Sequence, residues 1–238
     1  MEKLNQKNIL VVGATGGIGE ATARLLSQSG AHVFLAGRKA EKLQAVADSL
    51  RIPAERVFSI DMADPASIIR MGEAIHAQIP QLDILVNATG IGIIKPLESL
   101  SLEEFRLSLQ VNLEGSFMLV KTFLPAMKKA GKGLIINIPG VLGKVPMAGA
   151  AAYSASKYGL VGMMQSIREE LKRTEVRITN VFMGGVDSPF WDTIDLRVQR
   201  EKMIKAEEAA RSIWFLCQQP ASGVVSEMVL QPFNHQAI

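Results

Sequence analysis

A single cysteine, Cys217, leaves no internal disulfide to be formed. It follows the apolar stretch Ile213, Trp214, Phe215, Leu216, which reads as a buried helix face, so a reducing, cytosolic setting is expected. Long apolar runs are also missing. The polar N-terminus leads into only four strongly apolar residues, Ile9 to Val12, before Gly13, too short for a signal-peptide core, and export is not expected. From Gly133 to Ser156 the only charge is Lys144, but Pro139, Pro146 and several glycines interrupt that stretch, so no bilayer-crossing helix and no membrane partner are expected. Charge of one sign is not concentrated anywhere: 26 Lys and Arg oppose 23 Asp and Glu, which argues against a nucleic-acid partner. The nearest thing to a cluster, Lys128, Lys129 and Lys132, reads as the cationic last turn of a helix that Gly131 and Gly133 end. There is no Pro/Ser/Gly linker, no internal repeat and no metal-ligand spacing, so neither a second domain nor a metal centre is expected.

What is present is apolar substance in a regular order. With 48% hydrophobic residues in 238, the chain can bury a large core as one domain spanning 1–238. Short β-rich runs fall at Asn8 to Val12, His32 to Ala36, Arg56 to Ile60, Leu82 to Val86, Leu134 to Ile138, Val176 to Phe182 and Glu227 to Leu230. Between them lie segments of helical period, such as Ala21, Leu25, Leu26 and then Leu43, Val46, Ala47, Leu50, with Gly30 closing the first. That alternation predicts an α/β, doubly wound, Rossmann-type parallel sheet covered on both faces. The least regular stretch, about 184–203, holds Pro189, Phe190 and Trp191 and is expected to cover a substrate site.

Two motifs carry chemistry. The first strand runs into Gly13-Ala14-Thr15-Gly16-Gly17-Ile18-Gly19 and then a helix. Glycines there let backbone N–H groups approach a pyrophosphate, and the helix N-terminus adds unpaired donors. After the second strand comes Gly37-Arg38-Lys39 without the carboxylate that would bond the free 2′-hydroxyl of NAD. Arg38 is suited to a 2′-phosphate instead, so NADP(H) is expected over NAD(H). In the second motif, Tyr153 and Lys157 stand four residues apart, on one face of a helix. A fixed cation near a phenol favours phenolate and brings its pKa toward the working range, which fits Tyr153 as acid/base for a carbonyl.

Gly13-x-x-x-Gly17-x-Gly19, Asn87-Ala88-Thr89-Gly90, Asn112 and Tyr153-x-x-x-Lys157, in this order along nearly the whole chain, resemble the short-chain dehydrogenase/reductase family. The resemblance implies a seven-stranded sheet of order 3-2-1-4-5-6-7 and a homodimer or homotetramer built through the fourth and fifth helices. It assigns Gly13, Gly17, Ile18 and Gly19 to the pyrophosphate and Thr15 to the adenosine ribose region. Asp61 and Met62 match the adenine contact, Asn87 and Gly90 the adenine side and middle of the cofactor, and Val186 and Ser188 the carboxamide and phosphate region. Lys157 would also hold the nicotinamide ribose, and Asn112 would position a water in the proton relay.

The pattern fails in one telling place. Thirteen residues before Tyr153, where the family carries a serine that polarises the substrate carbonyl, this chain has Gly140. Ala88, Thr89 and Met183 depart from the family nearby. The expectation is an NADPH-dependent reductase or dehydrogenase of small carbonyl or alcohol substrates, with Tyr153, Lys157 and Asn112 as its catalytic residues. The alternative is a cofactor-binding protein of the same fold with little turnover. The loop Asp187 to Asp192 offers aromatic walls and no cationic anchor, favouring an uncharged substrate.

Overall fold

The computed structural model describes residues 3–220 and 222–234. In chain order its regular elements are β1 (Asn8–Val12), α1 (Gly17–Gln28), β2 (His32–Gly37), α2 (Ala40–Leu50), β3 (Val57–Ser59), α3 (Pro65–Gln78), β4 (Ile84–Asn87), α4 (Leu102–Leu109), α5 (Gly115–Ala130), β5 (Lys132–Asn137), α6 (Ala151–Glu170), β6 (Glu175–Met183), β7 (Val186–Asp187), β8 (Ile204–Lys205), α7 (Ala206–Leu216) and β9 (Glu227–Leu230). Seven strands form one parallel sheet in the order β3-β2-β1-β4-β5-β6-β9. The expected order holds, with β9 as its seventh strand. Strands β7 and β8, two residues each and unmarked by any apolar run, pair with one another outside the main sheet.

Alternate residues of each strand feed two separate cores. Ile9, Val11, Val33, Leu35, Val86 and Ile136 pack with Leu26 of α1, Leu43 of α2 and Ile213 of α7 on one face. Leu10, Val12, Phe34, Leu85, Ile135 and Ile178 pack with Ile68 of α3, Phe123 of α5 and Leu160 of α6 on the other. Strands buried on both faces read as continuous apolar runs, which is why they stood out. Cys217 is free and buried, and burial pushes its thiol up to about 12. Among the described residues no helix is long and apolar enough to cross a membrane.

Helix ends follow the residues, with one correction. Gly30 is left-handed (φ +78°) just past α1, and Gly131 (φ +74°) ends α5. The α5 cation pair is Lys128 and Lys129 alone, because Lys132 and Gly133 already belong to β5. One left-handed glycine reverses the chain directly into the strand, with no intervening loop.

The strands' carboxyl ends line up. Val12 is in register with Ala36 on one side and with Asn87 on the other, and Asn87 continues through Asn137 to Asn180. Strand order reverses between β1 and β4, so the loops after those two strands emerge side by side above this row, where open α/β sheets bind ligands.

Candidate active site

A cavity of about 900 Å³ opens at this edge. Gly13, Thr15, Gly17, Ile18 and Gly19 line it from the turn after β1. Gly13 has φ +86°, and a Cβ there would lie 2.7 Å from the Ala88 carbonyl oxygen, so the turn can cross the β4 loop only as glycine. The Gly13 and Ala14 amides both donate to the Ala36 carbonyl (2.9 and 3.0 Å), which fixes the turn against the end of β2.

At that end of β2, Arg38 lines the cavity together with Lys39 and Lys42, both missed from the sequence. All three are exposed, and no ion pair engages them among the described residues. A signal for Lys39 and Lys42 was available. They occupy the N-cap and first turn of α2, where the helix macrodipole disfavours cations, so their placement points to an anion rather than to helix stability. Asp61 and Met62 complete this end of the wall; the Asp61 carboxylate accepts from the Ala63 amide (2.9 Å).

Tyr153 and Lys157 stand on the same cavity wall, one turn apart on α6. The Lys157 ammonium lies 5.5 Å from the Tyr153 ring centre and donates weakly to the Thr89 and Ile138 carbonyls (3.4 Å each). Lys157 is 2% exposed and has no carboxylate partner among the described residues, so burial lowers its pKa to about 8. Burial also drives the Tyr153 phenol up. Burial is the one cause resolved for that upward shift, and the Lys157 ammonium, 5.5 Å from the ring centre, adds no resolved lowering.

Two expected site residues stand behind the wall rather than on it. Asn112 sits in a π-helical turn, Gln110–Glu114, that joins α4 to α5. Its side-chain oxygen accepts from the Ile91 amide (2.8 Å), and its nitrogen donates to the Ile91 carbonyl (3.0 Å) and the Ser156 hydroxyl (2.9 Å). The side chain thus ties the loop after β4 to α6. Asn87 accepts from the Thr89 amide (3.2 Å) and hydroxyl (2.6 Å) and donates to Ser116 (2.9 Å). It shapes the turn that presents Thr89 and Gly90, and only that turn reaches the cavity.

Gly140 does line the cavity, with φ +71° and ψ 170°. This is a backbone region that in practice only glycine occupies. A Cβ would have room, its nearest neighbour being the Met183 carbonyl oxygen at 3.5 Å, but the chain there is not shaped for a serine.

Residues of the 184–203 segment line the cavity, and the segment differs from expectation in charge. Val186 and Ser188 are buried on the cavity wall, and a Cβ on Gly17 would lie 2.7 Å from that of Ser188. Phe190 and Trp191 line the cavity, as do Ile94, Val145 and Met147. Arg197 and Lys202 also line the cavity. The segment therefore does bring cations to the site, beyond the Asp187 to Asp192 stretch in which none was found.

A sheet whose switch point carries a glycine turn, with a Tyr–Lys pair across the cavity, defines an α/β protein of the Rossmann type. Residues 7–198 match the family pattern described as "short chain dehydrogenase", so the chain belongs to the short-chain dehydrogenase/reductase family of oxidoreductases. It is 32% identical over 232 residues to an uncharacterized oxidoreductase of Staphylococcus epidermidis, covering 98% of this chain and 100% of that one. An uncharacterized oxidoreductase of Staphylococcus aureus is 30% identical with the same coverage. Among solved structures, a metagenomic short-chain oxidoreductase in complex with NADP has TM-score 0.83 and 32% identity, over 98% of this chain and 100% of that one. An alcohol dehydrogenase of Thermococcus sibiricus complexed with 5-hydroxy-NADP has TM-score 0.88 and 25% identity, over 98% and 99%.

Proposed function

We propose that the chain moves hydride between NADP(H) and a small carbonyl or alcohol compound, with Tyr153 as the acid/base. The observation that carries this reading is that one cavity is lined both by the glycine turn with Arg38, Lys39 and Lys42 and by Tyr153 with Lys157. The residues fit the cofactor. The turn presents backbone where side chains would obstruct a pyrophosphate, and three cations that no ion pair engages among the described residues, with no carboxylate at the end of β2, suit a 2′-phosphate. The NADP in the complex of the metagenomic relative supports the same choice.

When bound, the dinucleotide supplies or accepts the hydride. The chain's own groups handle the proton. A phenol kept protonated by burial is a donor at neutral pH, so in the reductive direction Tyr153 delivers H⁺ to the carbonyl oxygen as its carbon receives hydride. Lys157, still mostly charged at neutral pH, takes in this reading the roles of holding the nicotinamide ribose and stabilising the phenolate left behind. Asn112 acts one layer back, fixing Ile91 and Ser156 around that pair. Phe190 and Trp191 keep water from the reacting carbonyl.

A second reading, a cofactor-binding protein with little turnover, is favoured by Gly140, whose backbone offers no side-chain donor to the carbonyl. Titrating NADPH and NADH and following consumption with carbonyl substrates separates the two. The enzyme reading predicts NADPH binding with consumption, and the second predicts binding without it. We also propose self-association through α4 and α5, which expose Leu102, Leu107 and Phe117. Leu107→Glu is then expected to shift a dimer or tetramer toward monomer in sedimentation.

A further inference from the structure

The segment from Val186 to Met203 opens with the two-residue strand β7 and is otherwise irregular apart from a five-residue 3₁₀ turn, Pro189–Thr193, and a three-residue one, Arg200–Lys202. Its own backbone bonds are short in range: Trp191 to Ser188, Ile194 to Trp191, Lys202 to Gln199 and Met203 to Arg200. One side chain spans it. The Arg200 Nε donates to the Asp187 carboxylate (2.6 Å), Nη1 to the Asp192 carboxylate (2.7 Å) and Nη2 to the Ser188 carbonyl (2.9 Å). Each guanidinium nitrogen thus holds a different residue, 8 to 13 positions back along the chain. A lysine, as a single point charge, cannot reproduce that fork.

The three held residues carry two contacts on the cavity wall. Ser188 is seated on Gly17 of the glycine turn. Asp192 follows Phe190, whose ring lies 5.8 Å from the Tyr153 ring and whose Cζ is 2.4 Å from where a Cβ on Gly92 would stand. Gly92 is therefore the seat for Phe190. Trp191 braces the same turn, its ring edge-on to Phe190 at 5.3 Å and its Nε1 donating to the Val186 carbonyl (2.9 Å).

We propose that Arg200 is a positioning residue that clasps this segment shut, seating Ser188 over the glycine turn and Phe190 beside Tyr153 in a single act. Because one fork sets both contacts, opening it loosens the cofactor end and the carbonyl end together. The functional consequence rests on the reading of the cavity as a dinucleotide and carbonyl site; the clasp itself does not.

The test uses the full chain carrying Trp214→Phe, which leaves Trp191 as the sole tryptophan. Arg200→Met is expected to shift Trp191 emission to the red. It is also expected to raise the NADPH Kd about tenfold, the result of lowering the closed fraction to about one tenth, and to raise substrate KM more than it lowers kcat. Asp187→Asn combined with Asp192→Asn should reproduce these changes, and Arg200→Lys should restore them only in part. The Asp pair variant decides the question if Arg200→Met does not fold. Unchanged Trp191 emission and an NADPH Kd within about twofold of the parent would overturn the clasp. Failure of the parent to bind NADPH would instead overturn the cofactor reading, while the emission still judges the clasp.

Discussion

A Cβ on Gly90 would stand 2.9 Å from the Lys157 ammonium and 3.3 Å from the Asn112 side-chain oxygen. Gly90 is thus the gap through which a lysine anchored on α6 reaches the cavity. Gly90→Ala is expected to displace the end of Lys157 while leaving the fold intact, because the obstructed atom ends a flexible side chain. A misplacement of that kind can lower turnover by up to about 100-fold. Steady-state rates beside a melting curve check this, and a large loss of Tm with an unchanged rate would count against it.

Arg38→Ala is expected to weaken NADPH binding about ten- to hundredfold and to leave NADH nearly unaffected, as loss of a charge-assisted bond to a 2′-phosphate would do. Lys42→Ala should follow with a smaller effect. Equal losses for both dinucleotides would remove these cations from cofactor selection.

The π-helical turn at Asn112 shows where sequence reading stops. The strands and most helices were legible because buried β runs are continuous and helices carry a 3.6-residue apolar stripe, as in Leu43, Val46 and Ala47. Asn112 stood out through the family resemblance, but its grip on Ile91 depends on a local widening that leaves residue types unchanged. Gly140 shows a related limit. Glycine is compatible with either half of the φ range, so a missing serine could be read from the sequence but the left-handed backbone beneath it could not. Arg197 and Lys202 reach the cavity only through the fold of the 184–203 segment, and no spacing rule connects them to Tyr153.

Gly140→Ser is accordingly expected to cost about 1–3 kcal/mol of stability, the strain of a side chain in a glycine-only conformation. It should not raise turnover. Denaturant melts and rates on the variant check both, and a faster enzyme of unchanged stability would show that the loop accepts the serine as a donor.

Burial of Lys157 makes a prediction about pH. Its folded pKa, about 8, lies below that of an unfolded lysine, so between them the unfolded chain binds more protons and stability rises with pH. The penalty for burying the charge is full below pH about 8 and is relieved above it. Tyr153 shifts upward and acts oppositely only once an unfolded phenol begins to ionise, near pH 10. Lys157→Met should therefore be more stable than the parent at pH 7, with an advantage that shrinks as pH rises from 8 toward 10. Unfolding midpoints at several pH values measure it, and an advantage independent of pH would contradict it.

Tyr153 as proton donor in an NADPH-dependent reduction is open to a direct kinetic comparison. Initial rates of NADPH consumption over a panel of aldehydes, ketones and diketones, for the parent and Tyr153→Phe side by side, test it most directly. Consumption by the parent, a fall of about 10²- to 10⁴-fold in the variant, and unchanged NADPH binding are expected. Equal rates in both, or NADPH binding without consumption in the parent, would contradict it.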